Sequence, residues 1–119
     1  MRLPNYYEII AAQNSQFPIS VQLQNDDGTL MDITGKTFEF VVRTKIDNES
    51  TTPLIRVGQT PNAQGYITVN TTTSTVQVVV YATANTSAGG YYTLWMDPNL
   101  SDQTALVQGP YNIQPTVLV

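Results

Sequence analysis

Apolar residues recur at every second position along most of this chain, and no segment sustains the three-and-four spacing of a helix. QFPISVQLQ (16–24) places Phe17, Ile19, Val21 and Leu23 on one face. TFEFVVR sends Phe38, Phe40 and Val42 one way and Glu39, Val41 and Arg43 the other. VQVVVY (76–81) repeats the pattern with Val76, Val78 and Val80. A chain built of such half-apolar strands has to pack one face of each against another sheet.

The intervening segments are punctuation. NDDG (25–28), ITGK, PNAQG (61–65) and DPNLSDQ (97–103) are turn chemistry, in which Asn and Asp tolerate left-handed backbone and Gly adopts it without steric cost. Asp32 and Thr34 are expected to bond the local backbone, and Gly35 to take the tight turn that launches the next strand. ATANTSAGG (82–90) is the one place for a helical turn. Pro110 and Pro115 push the last strands toward an edge or a bulge. The expectation is an all-β fold, an antiparallel sandwich or barrel of seven to eight strands. At 119 residues the chain makes one domain over 16–119, preceded by an extended N-terminal arm over 1–15.

Composition narrows the function. There is no Cys and no His, so disulfides, thiol chemistry, the common nucleophile–base pairs and most zinc sites cannot be built. Asp26 and Asp27 are adjacent, and their side chains diverge rather than converge on one substrate. A calcium site from Asp26, Asp27 and Asp32 lacks the Asp-x-Asp-x-Asp-Gly frame and the distal Glu, which leaves a solvated hairpin turn as the reading. The sequons at Asn48, Asn70, Asn85 and Asn99 fit chance in a chain so rich in Asn, Ser and Thr. The expectation is a protein that is not an enzyme and uses no cofactor or metal.

The net charge is −4, and only Arg2, Lys36, Arg43, Lys45 and Arg56 are cationic. That excludes nucleic acid as a primary ligand and an anionic membrane as a surface. No run approaches transmembrane length, and Asn5 and Glu8 interrupt the apolar start of MRLPNYYEIIAAQ, so no targeting segment is expected.

Contact surfaces remain. YYTLWM puts Tyr92, Leu94 and Met96 on one face and Tyr91, Thr93 and Trp95 on the other. If the first set is core, Tyr91 and Trp95 face outward, beside Val79 and Tyr81 on a neighbouring strand, as interface aromatics. With the faces reversed, Trp95 is the core tryptophan of a sandwich, and one strand's alternation does not choose between them. The apolar ends LPNYYEIIAA and PTVLV offer Tyr6, Tyr7, Ile9, Ile10, Val117 and Val119 for docking on this domain or on a neighbouring subunit.

The order of motifs carries a resemblance over nearly the whole chain from Gln16 onward. FPISVQLQ leads to the Asp27–Gly28 turn, then Asp32-Ile33-Thr34-Gly35, TFEFVVRTK, a Gly65-led strand, TANTSAG, GGYYTLWM and a closing GPYNIQPTV. This resembles the small Ig-like β-sandwich modules of tailed-phage virions, such as the N-terminal domain of upper baseplate proteins of lactococcal siphophages. The resemblance implies a structural protein of the tail or baseplate, or a capsid decoration protein, assembled in the host cytoplasm. Its partners would be other virion proteins, in a homo-oligomer or a symmetric multicopy assembly. A different class is a carbohydrate- or host-surface-binding module, with Tyr91 and Trp95 stacked on sugar rings. A remnant enzyme using paired acids ranks last.

Overall fold

A computed structural model of the chain describes residues 5–44, 53–85 and 89–115. Val117 and Val119, the sequon at Asn48 and the cation Lys45 lie outside the described residues. The chain is nearly all-β, with nine strand segments among the described residues: β1 (Asn5–Tyr6), β2 (Ile9–Ala12), β3 (Phe17–Gln22), β4 (Phe38–Arg43), β5 (Ile55–Gly58), β6 (Gly65–Asn70), β7 (Thr75–Val80), β8 (Gly89–Met96) and β9 (Thr104–Gln114). A single 3-10 turn, Ala82–Ala84, occupies the segment where a helical turn was expected.

The strands form two sheets that enclose one core. The larger runs β1-β9-β8-β4-β5, with β2 also on β9, and the smaller runs β3-β7-β6. The chain changes sheets between β2 and β3, β3 and β4, β5 and β6, and β7 and β8. Alternation puts the expected side chains between the sheets. Phe38, Phe40, Val42, Val76, Val78, Val80, Tyr92 and Leu94 are all at most 3% exposed. Phe17, Ile19, Val21 and Met96 pack partly buried against them.

The start of the chain docks on this domain, one of the two placements expected for the apolar end, but it does so in parallel, where antiparallel pairing was expected. β1 and β2 run parallel to β9, in register Asn5↔Val107 and Ile9↔Tyr111. They complete the larger sheet, and Ile9 and Ala11 enter the core at 1% and 0% exposure. Short as it is, IIAA alternates, so the segment buries one face like any other strand of the sheet. Two contacts fix it midway. The Tyr92 hydroxyl donates to the Tyr7 carbonyl at 2.6 Å, and the Tyr7 N–H donates to the Gln108 carbonyl at 2.9 Å. Gly109 makes this approach possible, because a Cβ there would overlap the Tyr7 carbonyl. Pro110 therefore lies on an interior strand, opposite the break between β1 and β2, and not on a sheet edge.

The turns follow their chemistry. Asp32 Oδ1 accepts the Thr34 N–H at 3.1 Å, Lys36 N–H donates to the Ile33 carbonyl at 3.1 Å, and Gly35 takes φ +76°. This bonding, above all from the Thr34 N–H, holds the Asp32 carboxyl below its ordinary value. The same turn delivers Ile33 to the core at 1% exposure. At NDDG, Asp27 Oδ1 accepts both the N–H and the hydroxyl of Thr29, at 3.0 and 2.6 Å. Both aspartates are turn-makers.

Candidate functional site

The outer face of the larger sheet, turned away from the core, carries a groove of about 380 Å³. Its position follows from parity and register. Tyr92 and Leu94 face the core, so Tyr91, Thr93 and Trp95 face out on β8. On β4 the outward set is Glu39, Val41 and Arg43, and the register pairs Glu39↔Trp95, Val41↔Thr93 and Arg43↔Tyr91. On the far side of β8, Gln108 lies beside Thr93, and Tyr6 of β1 beside Gln108. Three cross-strand rows thus form the floor, with Tyr91 and Trp95 about 13 Å apart along one strand by the ordinary rise.

Both faces of the Trp95 question now have an answer: Trp95 is on the outer face and half-buried, while Phe17, Phe38, Phe40, Tyr92 and Tyr111 supply the core aromatics. Its neighbours differ from expectation. Val79 and Tyr81 belong to the smaller-sheet side, with Val79 buried on β7 and the Tyr81 ring 5.9 Å from that of Tyr66. A register irregularity falls beside Trp95: Leu94 pairs with Val107 and Trp95 with Ala105, leaving Leu106 as the extra residue on β9. Leu106 packs toward the core, and the small Ala105 flanks the indole.

The end wall is the β8–β9 loop, from which Pro98, Asn99 and Gln103 line the groove. Asp97 anchors that loop. It is 5% exposed, its N–H donates to the Thr37 carbonyl at 2.7 Å, and its Oδ1 accepts the Thr37 N–H at 3.0 Å. Lys36 Nζ lies 3.2 Å from Asp97 and 3.6 Å from Asp102. These contacts, led by the Thr37 N–H, hold the Asp97 carboxyl below its ordinary value. Within the loop, the Asn99 backbone N–H donates to Gln103 Oε1 at 2.7 Å, so the Gln103 side-chain amide is held at the wall.

Among the described residues, the charged ones lining the groove are Glu39, Arg43 and Arg56. Arg56 of β5 pairs with Glu39 of β4 at 3.2 Å. No known protein-family model matches this chain, and comparison with curated proteins finds no relative.

The remaining predicted contact residues divide between rim and core. Tyr6, Tyr7 and Ile10 are 72%, 62% and 58% exposed, on the open rim of the larger sheet. Ile9, expected at an interface, is a core residue, because it alternates with Ile10 on β2. Asp32, Thr34 and Gly35 are turn residues that do not line the groove. Glu39, Val41 and Arg43 were placed outward by alternation alone, but their assembly with Tyr91 and Trp95 needed the pairing of β4 with β8, which no local pattern encodes. Arg56, Gln103 and Gln108 carried no sequence signal as site residues. Among the described residues, no cluster of acidic side chains is arranged to hold a metal ion, and no helix is long and apolar enough to cross a membrane.

Proposed function

We propose that this chain is a structural, non-enzymatic module of a tailed-phage virion, in the tail or baseplate, that holds neighbouring proteins together. The observation that carries the reading is the unequal finish of the larger sheet's two rims. At β5 the rim is closed: Gln64 Nε2 donates to the Leu54 carbonyl at 2.8 Å, Gln64 Oε1 accepts the Arg56 N–H at 2.9 Å, and Asn62 Nδ2 donates to the Arg56 carbonyl at 2.9 Å. Two side-chain amides thereby take the place of a further strand. At the opposite rim no strand lies beyond β1 and β2 among the described residues, and Tyr6, Tyr7 and Ile10 stand exposed. A sheet closed on one rim and open and apolar on the other associates in one direction, through strand pairing and aromatic burial.

The strand orders support the finer reading of the fold as immunoglobulin-like. β9-β8-β4 occupy the G-F-C positions, β5 adds a C′ strand beside C, and β3-β7-β6 stand as B-E-D. The DITG turn before β4, the Gly-led β6 and the GPYNIQPTV close support the phage reading by their likeness to virion modules. Neighbouring virion proteins, and further copies of the chain, are the partners in this proposal.

The test combines localisation with a rim variant. Cryo-electron microscopy of the parent particle is expected to place the module in the tail or baseplate, and density on the shell would instead make it a decoration protein. The double variant Tyr7→Ser, Ile10→Ser is expected to fold with stability within about 1 kcal/mol of the parent, since both side chains are exposed, yet to be lost from particles. A protein absent from every virion, with an oligomeric state indifferent to this variant, would overturn the proposal.

A further inference from the structure

We propose that the outer-face groove binds a neutral, extended oligosaccharide, laid along β8 from Tyr91 to Trp95. The two rings stand on one face of one strand with the small polar Thr93 between them, and form platforms in line for the apolar faces of sugar rings. Tyr91 is 39% exposed, and among the described residues neither it nor Trp95 stacks on another aromatic ring. The irregularity in β9 favours the same use. By setting Ala105 rather than Leu106 opposite Trp95, it sends the bulkier side chain toward the core and leaves a small one beside the indole. The end wall is preformed, because Asp97 ties its loop to Thr37 and Lys36, so little ordering cost falls on binding.

The polar lining selects an uncharged ligand rich in hydroxyls. Gln108 brings an amide that both donates and accepts, and Gln103 brings an NH2 donor whose own oxygen the Asn99 N–H fixes in place. Glu39, across from Trp95, is matched by Arg56 at 3.2 Å. That pair offers hydroxyls an acceptor and donors without calling for a counter-charge on the ligand. The net charge of −4 also opposes the approach of an anionic glycan. Platforms aligned along a strand suit an equatorially linked chain, which runs extended, and not an axially linked one, which coils. A peptide would find no unpaired strand edge in this groove, because its floor is the face of a sheet whose strands are already paired.

This inference is independent of virion assembly, since Tyr7 and Ile10 do not line the groove. The experiment is calorimetric titration and amide-shift mapping of the whole chain with cellohexaose and chitohexaose. Maltohexaose serves as the coiled neutral probe and oligogalacturonate as the acidic one. Binding of cellohexaose or chitohexaose is expected, with shifts confined to β8, its neighbours β4 and β9, and the β8–β9 loop. Added salt should leave the affinity unchanged. Tyr91→Ala and Trp95→Ala should each weaken binding about tenfold or more, the loss of one stacked ring. Gln108→Ala should weaken it about threefold or more, the loss of an amide that bonds hydroxyls. If Trp95→Ala fails to fold, Tyr91→Ala and Gln108→Ala, both at exposed positions, carry the test. Silence of cellohexaose and chitohexaose at millimolar concentration would overturn the proposal. So would equal or tighter binding of maltohexaose or oligogalacturonate, shifts elsewhere, or binding indifferent to Tyr91→Ala and Gln108→Ala.

Discussion

Tyr92 and Tyr111 sit between the sheets with Phe40, whose ring lies 5.5 Å from Tyr92 and 6.0 Å from Tyr111. Each is at most 1% exposed and each hydroxyl is used: Tyr92 on the Tyr7 carbonyl, Tyr111 on Asn85 Oδ1 at 2.6 Å. Asn85 is itself fully buried, and its Nδ2 donates to the Ser15 carbonyl at 2.8 Å. Its sequon therefore presents no side-chain amide to solvent. Burial pushes both phenols up to about 12 from an ordinary 10. The unfolded chain thus releases these protons first as pH rises. The stability they contribute is complete below pH 10 and is lost between 10 and 12. The loss should be of order 2 kcal/mol per tyrosine, read from denaturant midpoints across that range. Tyr111→Phe should cost about 1–2 kcal/mol at neutral pH, by stranding Asn85 Oδ1, and should remove about half of the alkaline loss. An unchanged alkaline profile in that variant would contradict the assignment.

Among the elements, the rims of the larger sheet differ in what holds them. Gln64→Ala should leave the Leu54 carbonyl and the Arg56 N–H without their protein partners at a cost of about 1 kcal/mol. The visible effect should be faster hydrogen exchange at the Arg56 amide and concentration-dependent self-association, measured by exchange and by sedimentation. An unaltered Arg56 amide would show that Gln64 does not close the rim. What the sequence made legible was everything that depends on local period: Phe38, Phe40 and Val42 inward, Val76, Val78 and Val80 inward, Asp32 and Gly35 in a turn. What it hid depends on partners distant in the chain. Trp95 acquires its surroundings from Glu39 and Ala105, and neither the pairing of β8 with β4 nor the irregularity at Leu106 is written in YYTLWM. The docking of the N-terminal segment was foreseen from its apolar residues, but not its partner, because four residues, IIAA, alternate too briefly to announce a strand that pairs with β9. The groove was half legible: its aromatics stood out, while its arginines belonged to strands that only topology brings alongside.

For the whole molecule, the two sheets share one core, to which Ile9 and Ala11 contribute from the first strand segments and Val107 and Ile113 from the last. Gly109→Ala tests whether that is one cooperative unit. A methyl group there collides with the Tyr7 carbonyl, lifts the break between β1 and β2, and should cost about 2 kcal/mol or more. Melting should remain a single transition shifted downward, whereas two separate transitions would show the N-terminal segment to be an appendage. The pairing of first strand with last also has a consequence in the cell. Asn5 waits for Val107, roughly a hundred residues later, which is about 5–20 s of translation at ordinary ribosomal rates. Through that interval IIAA is an apolar segment without its partner, so the nascent chain, rather than the finished protein, is the form with most need of a chaperone.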